Sequence, residues 1–492
     1  MHKPTIGLEI HAELATNSKM FCSCKNAPGE KIPNINVCPI CLGHPGTLPV
    51  INKTAIRKAV KTGLALNCAI EKNSYFERKN YFYPDLPKGY QISQYKTPLC
   101  RNGYLEIPLT NSFFKKIRIE RVHMEEDTGR LIHPEGADYS LIDFNRAGIP
   151  LMEIVTEPDI ESGQEAREFT RHLQLILKYL NVSSANMEKG EMRCEVNISL
   201  SNSEKLGTKV EIKNLNSLKV VGKAIEYEIK RQTDLLEKGE KIIQETRGWH
   251  DKKEITISQR EKEGAHDYRY FPEPDLPPLE LSREFLEDIK KEIVELPLEK
   301  MERFKKQYCL IEKEADIYIW QKDLGDYFEK VALRLKQWIK EKKGIGKAEQ
   351  NEPQKIYKLA SNYISTDLQG LLQGKFVNDK NFLITPEKFA EFVIMIYASE
   401  ISSKIAKVLL KEMYDTGGAP AQIIDEKGLI QISSAEELKE IVKQVIDKNF
   451  KPAQDYKNGK ETALQFLIGQ AMAQTKGKAN PETVSKLFKE LL

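Results

Sequence analysis

Glu9, His11 and Glu13 alternate with Leu8, Ile10 and Ala12 near the amino end of the chain. Successive residues of an extended strand face opposite ways, so two carboxylates and an imidazole share one face while an apolar row takes the other. One such strand is an edge strand with a solvated face. Here the pattern returns. In Glu191-Met192-Arg193-Cys194-Glu195-Val196-Asn197-Ile198 every odd position is polar and every even one apolar, and Lys209-Val210-Glu211-Ile212-Lys213 obeys the same rule. Each of the three strands places a Glu at mid-face with His, Arg, Asn or Lys beside it. Further along, Lys115 to Val122 alternates and runs into His123-Met124-Glu125-Glu126-Asp127, and Leu141 to Gly148 puts Asp143 and Asn145 on a polar side. Three adjacent carboxylates form either a solvated acidic turn or a site that needs a cation among them.

If these faces lie on one side of an antiparallel sheet, acids and bases converge in a cleft. Hard divalent cations take oxygen ligands, and magnesium binds one or two carboxylates and leaves its other positions to water and phosphate. Arg holds phosphate by bidentate hydrogen bonds and Lys by a compact charge. The combination describes a site for ATP phosphates. No G-x4-G-K-[ST] loop occurs in the chain, nor a glycine loop ahead of a lysine-bearing strand, so the nucleotide would be held in a less common way.

Four of the eight cysteines fall as Cys22-x-Cys24 and Cys38-x2-Cys41, thirteen residues apart, with Pro39, Gly43, Pro45 and Gly46 supplying turns. Two short-spaced pairs on turns suit a tetrahedral structural zinc. Disulfides or reduced thiols are the alternatives, and both fit a cytoplasmic chain less well. Cys68, Cys100, Cys194 and Cys309 are scattered and read as buried thiols.

The elements that must position these groups belong to a chain of 492 residues, room for two to four domains. With 75 basic and 72 acidic residues the net charge is +3, which excludes nucleic-acid binding over the whole surface and leaves only local basic patches. No apolar run follows Met1-His2-Lys3-Pro4, and the strongest later one, Phe392 to Ala398, is far short of the roughly 20 residues that span a bilayer. A cytoplasmic protein with no membrane partner is expected. Thr54 to Leu66 reads as an amphipathic helix. Tyr75 to Tyr90, dense in aromatics and prolines, reads as an irregular loop packed over a core or lining a polar passage, because Lys79 and Lys88 are awkward to bury without a reason.

Gly7-Leu8-Glu9-Ile10-His11, His123-Met124-Glu125-Glu126-Asp127, Asp143-Phe144-Asn145-Arg146-Ala147-Gly148-Ile149-Pro150-Leu151, Met192-Arg193-Cys194-Glu195-Val196-Asn197, Lys213-Asn214-Leu215-Asn216-Ser217 and Asp267-Tyr268-Arg269-Tyr270-Phe271-Pro272-Glu273-Pro274-Asp275 closely resemble, in order, the B-subunit family of the aspartyl- and glutamyl-tRNA(Asn/Gln) amidotransferases. The resemblance implies an ATP- and magnesium-dependent carbon-nitrogen ligase with glutamine as amido donor. Such a protein phosphorylates the side-chain carboxylate of Glu misacylated on tRNA-Gln, or Asp on tRNA-Asn, and ammonia then displaces the phosphate. By motif position Glu9, His11, Glu125, Glu126, Glu195 and Glu211 would be the catalytic residues, all but Glu126 as magnesium ligands. Arg193, Asn197, Lys209 and Lys213 would lie at the nucleotide. Ammonia would come from an amidase A subunit, held with a small C subunit in a heterotrimer, along a passage that includes Lys79 and Lys88.

The family fold implied is α+β, with an antiparallel-sheet cradle that carries the active site and a zinc loop near 22–41 over 1–292. A helical domain over 293–405 and a small helical YqeY-like tail over 406–492 follow, the tail touching tRNA through Lys457, Lys460, Lys476 and Lys478. Two departures stand out: Glu195 where members often carry Asp, and Gly248 with an inserted His250 in Thr246-Arg247-Gly248-Trp249-His250-Asp251. Two other functions compete, a non-catalytic zinc-stapled tRNA-binding scaffold and the archaeal-type E subunit with an asparaginase-like partner.

In the carboxyl-terminal part, Pro297 to Tyr308, Ala315 to Glu329 and Val331 to Lys342 read as helices, and Lys343 to Pro353 as a linker. Thr385-Pro386 is a cap and first turn, Ile405 to Met413 a helix stopped by Gly417-Gly418, and Ser434-Ala435-Glu436-Glu437 a capping box.

Overall fold

The computed structural model describes residues 2–110, 113–261, 268–341, 353–428, 435–475, 479 and 481–492. The expected linker over 343–352, the Ser434 cap, Asp267, Lys476 and Lys478 lie outside them. The fold is α+β, and the chain divides into two compact units, Met1–Pro297 and Leu298–Leu492.

The first unit is built on a nine-stranded sheet in the order Ile255–Glu261, Glu245–His250, Val210–Leu215, Met192–Ser201, Lys3–Glu13, Pro150–Thr156, Phe113–Glu126, Cys100–Thr110, Ala69–Ile70. Neighbours are antiparallel except Val210–Leu215 with Glu245–His250. Parallel neighbours need a crossover, and the helix Leu218–Glu237 supplies it. Ser217 caps that helix by accepting a hydrogen bond from Val220 N at 3.3 Å.

The apolar positions expected at the front of the chain do form the core. Ile6, Leu8 and Ile10 are buried with Met152, Ile154, Val196 and Ile198 of the flanking strands. The helices Gly163–Tyr179 and Leu218–Glu237 complete this core with Phe169, Leu173, Val221 and Ile225. They cross tightly, since a Cβ on Gly163 would sit 2.5 Å from the carbonyl oxygen of Gly222. The helix expected from Thr54 spans Lys53–Ala65, and Asn52 caps it by accepting from the backbone N–H of Thr54 and Ala55.

The Tyr75 to Tyr90 stretch is more regular than expected. Glu77–Asn80 and Tyr90–Ser93 pair as antiparallel strands, and Phe271–Pro272 adds a third. Side-chain bonds that no local pattern encodes hold it. Glu77 accepts from the backbone N–H of Tyr95 and Lys96 at 2.9 and 2.8 Å. Arg78 makes a bidentate pair with the buried Glu273, both bonds 2.8 Å.

In the second unit the helix Pro297–Tyr308 has the expected bounds, but the next two divide differently, as Glu312–Trp320 and Lys322–Glu341. The break falls at Gln321, whose backbone leaves the helical region. There Gly325 approaches the Tyr318 carbonyl, 2.6 Å from where a Cβ would stand. Thr385 and Ser402 cap their helices, and Gly417 ends the second of these with φ +70°. One apolar cluster of this unit gathers residues from Phe304 to Ile424 and another from Leu438 to Phe488. Ile405 packs in the first.

Phe169 is fully buried where its helix meets the sheet. Phe169→Ala lowers stability by about 3 to 5 kcal/mol, read as a lower urea midpoint for the full chain.

Candidate active site and metal centre

Cross-strand register decides which polar side chains meet. Glu9 lies opposite Glu195, His11 opposite both Arg193 and Glu153, Glu153 opposite His123, and Glu13 and Glu125 opposite Leu151 on either side. Directly paired residues share a face, so these groups lie together on the face away from the helices.

Glu153 is the centre of the group. Its Oε2 is 3.3 Å from His11 Nε2 and 3.4 Å from His123 Nε2. His11 Nε2 lies 3.9 Å from Glu9, and His123 Nε2 lies 3.4 Å from Glu125. Ser93 Oγ and Gln91 Nε2 donate to Glu125 at 2.7 and 3.0 Å. Glu9, His11 and Glu153 form one set whose ligand atoms lie within 4.8 Å of one another, and His123, Glu125 and Glu153 form another. Burial and Glu153 push the Glu9 carboxyl up to about 7. Burial resists charge on the imidazoles, yet the surrounding carboxylates, chiefly Glu153, outweigh it and lift both to about 9. Against the same penalty the two imidazoles hold Glu153 well below the usual carboxylate range, and Lys79 followed by His123 holds Glu125 down to about 2. Anionic carboxylates packed this closely make a setting for a cation.

Beside them a cleft of about 520 Å³ is lined by Glu13, Arg146, Arg193, Glu195 and Lys213, among others. Lys213 Nζ sits 2.8 Å from Glu195 and 3.5 Å from Glu211, and Thr246 Oγ1 donates to Glu211 at 2.7 Å. Arg193 donates to Asp127. Glu195 and Glu211 therefore share a lysine and stand in neither of the imidazole sets. Asn197 lies across from Gly7 and Glu211, while Lys209 is exposed ahead of its strand.

Lys79 and Lys88 part company. Lys79 Nζ is 4.0 Å from Glu125 and 5.2 Å from the Tyr268 ring centroid. Lys88 pairs with Glu126, which also accepts from Ile92 N at 3.0 Å. Glu126 has the parity of Met124, so it stands on the opposite side of its strand from Glu125. With Lys88, Tyr90 and Cys41 it lines a separate small pocket.

The sulfurs of Cys22, Cys24, Cys38 and Cys41 lie within 4.8 Å of one another. Cys38 N donates to Cys41 Sγ at 3.2 Å, and the fully buried Lys19 reaches Cys41 Sγ at 3.8 Å and Phe144 O at 3.3 Å. A hydrogen bond from Cys22, outweighing burial, with help from Cys38 N–H and Lys19, pulls the Cys41 thiol down to about 5. Four converging sulfurs with a cation behind them fit a thiolate-bound metal. Asp143 and Asn145, expected on a polar strand face, instead hold this loop: Asp143 Oδ1 accepts from Asn34 N and Asn145 Oδ1 from Asn36 N.

Sequence reasoning missed Glu153 as a member of the site. Its one mark was a carboxylate inside the apolar run Pro150-Leu151-Met152-Glu153-Ile154-Val155, where a buried acid needs partners. His123, though quoted within a motif, was given no role, and neither was Asp127.

Known proteins agree with this arrangement over the whole chain. Residues 4–287 match the family model of the GatB/GatE catalytic domain, and residues 347–492 match that of the GatB domain. The B subunit of the aspartyl/glutamyl-tRNA(Asn/Gln) amidotransferase of Thermoanaerobacter pseudethanolicus is 48% identical over 495 residues, which cover 100% of this chain and 99% of its own. Its counterparts of the same name in Persephonella marina and Thermotoga maritima are 48% and 47% identical over 492 and 498 residues, with the same shares covered. Matched from end to end, the chain belongs to the GatB/GatE family.

Proposed function

We propose that this chain is the kinase and transamidase component of a tRNA-dependent amidotransferase. It uses ATP to phosphorylate the side-chain carboxylate of Glu on tRNA-Gln, or of Asp on tRNA-Asn, and lets ammonia displace the phosphate to leave the amide. The observation that carries this reading is Glu153 set between two imidazoles, next to a cleft that Arg193 and Lys213 line on the same sheet face.

A carboxylate is a poor acceptor for ammonia, and phosphorylation turns one of its oxygens into a leaving group. Catalysis of this kind rests on positioning and charge neutralisation. Glu153, Glu9 and Glu125, with His11 and His123, are the groups that would hold magnesium. That ion neutralises phosphate charge when bound. Arg193 and Lys213 offer donors for phosphate oxygens, each steadied by a carboxylate, Asp127 and Glu195. Glu211 aligns Lys213 from its other side. Lys79, beside Glu125 at the rim of the aromatic hairpin, fits a polar passage for ammonia, and the Lys88–Glu126 pair fits a point further along it. The donor set of Cys22, Cys24, Cys38 and Cys41 fits zinc, held as a staple for a loop with little core of its own.

The names carried by the relatives support an amidase A subunit as the source of ammonia and a C subunit as the third member. The proposed domains are the catalytic 1–292, the helical 293–405 and a tRNA-binding tail over 406–492. In that tail Lys457 and Lys460 are exposed and suit the phosphate backbone. No helix among the described residues is long and apolar enough to cross a membrane, which agrees with a translation enzyme at work in the cytoplasm.

In the assembled complex, Glu153→Gln and Glu125→Gln each cut ATP-dependent amide formation on mischarged tRNA by on the order of 100-fold or more, with tRNA affinity unchanged. Full activity in both variants contradicts the assignment. Metal analysis of the purified chain returns one zinc per molecule, and Cys41→Ser lowers both the zinc content and the melting temperature. Four titratable thiols with no metal contradict the staple.

A further inference from the structure

Glu13 belongs to neither imidazole set. It is the last residue of the first strand, on the same face as Glu9 and His11, and it lines the cleft with Arg193. It is 8% exposed, and its Oε2 finds no donor. A buried carboxyl without a donor is costly unless something near it depends on its presence. The group it reaches is a second carboxyl, Asp127, with which it shares a hydrogen bond.

Asp127 is equally buried, 4% exposed. Its Oδ1 is taken by Thr128 N at 2.9 Å, and its Oδ2 accepts from Arg193 and lies 3.6 Å from Arg146 Nε. The two arginines differ in what remains to them. Arg146 donates to the carbonyls of Thr128 and Gly129 at 3.1 and 2.7 Å, so it is committed to that turn. Arg193 donates to Asp127, and its Nε is buried without a partner. Arg193 is thus the arginine with donors to spare at the cleft, and the direction of its guanidinium is set by where the Asp127 carboxylate points. Glu13 fixes that carboxylate from the sheet side.

We infer that Glu13 is a positioning residue for Arg193: by bracing Asp127 it aims the guanidinium at the phosphates of the nucleotide. This rests on the reading of the cleft as the phosphate site. It makes Glu13 part of the nucleotide-binding geometry although it touches no phosphate.

The test is a double-mutant cycle in the full chain, reading the dissociation constant of ATP with magnesium, beside NMR of the Arg193 Nε–H and its exchange with solvent. Glu13→Ala weakens ATP about 10-fold, a size usual for one coupled residue. In an Arg193→Ala background it adds nothing, and Glu13→Gln, whose amide can still donate to Asp127, restores affinity. Protection of the Arg193 Nε–H is lost in Glu13→Ala and kept in Glu13→Gln. Glu13→Ala acting equally in both backgrounds, or an unchanged Arg193 resonance, overturns the positioning role. Loss of Arg193 protection in Glu13→Ala, in a protein that binds no ATP even as wild type, upholds the positioning and overturns the phosphate reading instead.

Discussion

A carboxylate in the middle of a buried strand imposes terms on everything around it. Glu153 is 5% exposed, with apolar residues on both sides in sequence, and an isolated charge there would cost several kcal/mol. The fold answers with an imidazole from each neighbouring strand, both reaching the same oxygen. That answer requires the first strand and the Phe113–Glu126 strand to flank Pro150–Thr156 in one register only, since a slip of one residue would turn His11 and His123 to the other face. Register, once fixed, carries Glu9, Glu13, Glu125, Arg193 and Glu195 to the same side without further instruction.

The surrounding loops are tied to that face by polar side chains. The hairpin of Glu77–Asn80 and Tyr90–Ser93 supplies Ser93 and Gln91 to Glu125 and Lys88 to Glu126. The cysteine loop is anchored through Asp143, Asn145 and the buried Lys19. Gly148, with φ +84°, lies where a Cβ would be 3.5 Å from Cys41, 3.6 Å from Lys19 and 3.9 Å from Glu126, so the thiol cluster and the acidic strand end meet around one backbone turn. A loop with little apolar content gains its place from these bonds, and a metal on the four sulfurs would make that place cooperative with folding.

Much of this was legible because period-two alternation is a local property. The first strand, Met192–Ser201 and Val210–Leu215 announced their polar faces, and the cysteine spacing announced a metal-sized cluster. Helix caps at Asn52, Thr385 and Ser402 are equally local. Glu153 was not legible in the same way, because a central strand reads as a nearly continuous apolar run and its role depends on which strands flank it. Glu126 shows the converse: adjacent acids in one motif were grouped by type, while strand parity sends them to opposite sides. Glu195 and Glu211 illustrate a third limit, as register brings them to the face but the Lys213 they share keeps them outside the imidazole sets.

The claim on which the rest depends is that Glu153 and its two imidazoles, with Glu9 and Glu125, form the seat of a divalent cation. Manganese prefers the same oxygen-rich ligands as magnesium and scatters anomalously, so crystals of the full chain soaked in manganese give a direct reading. The account predicts an anomalous peak in contact with Glu153, flanked by His11 or His123. A map with no peak there at saturating metal, or with manganese bound only at some other acidic surface, would contradict it.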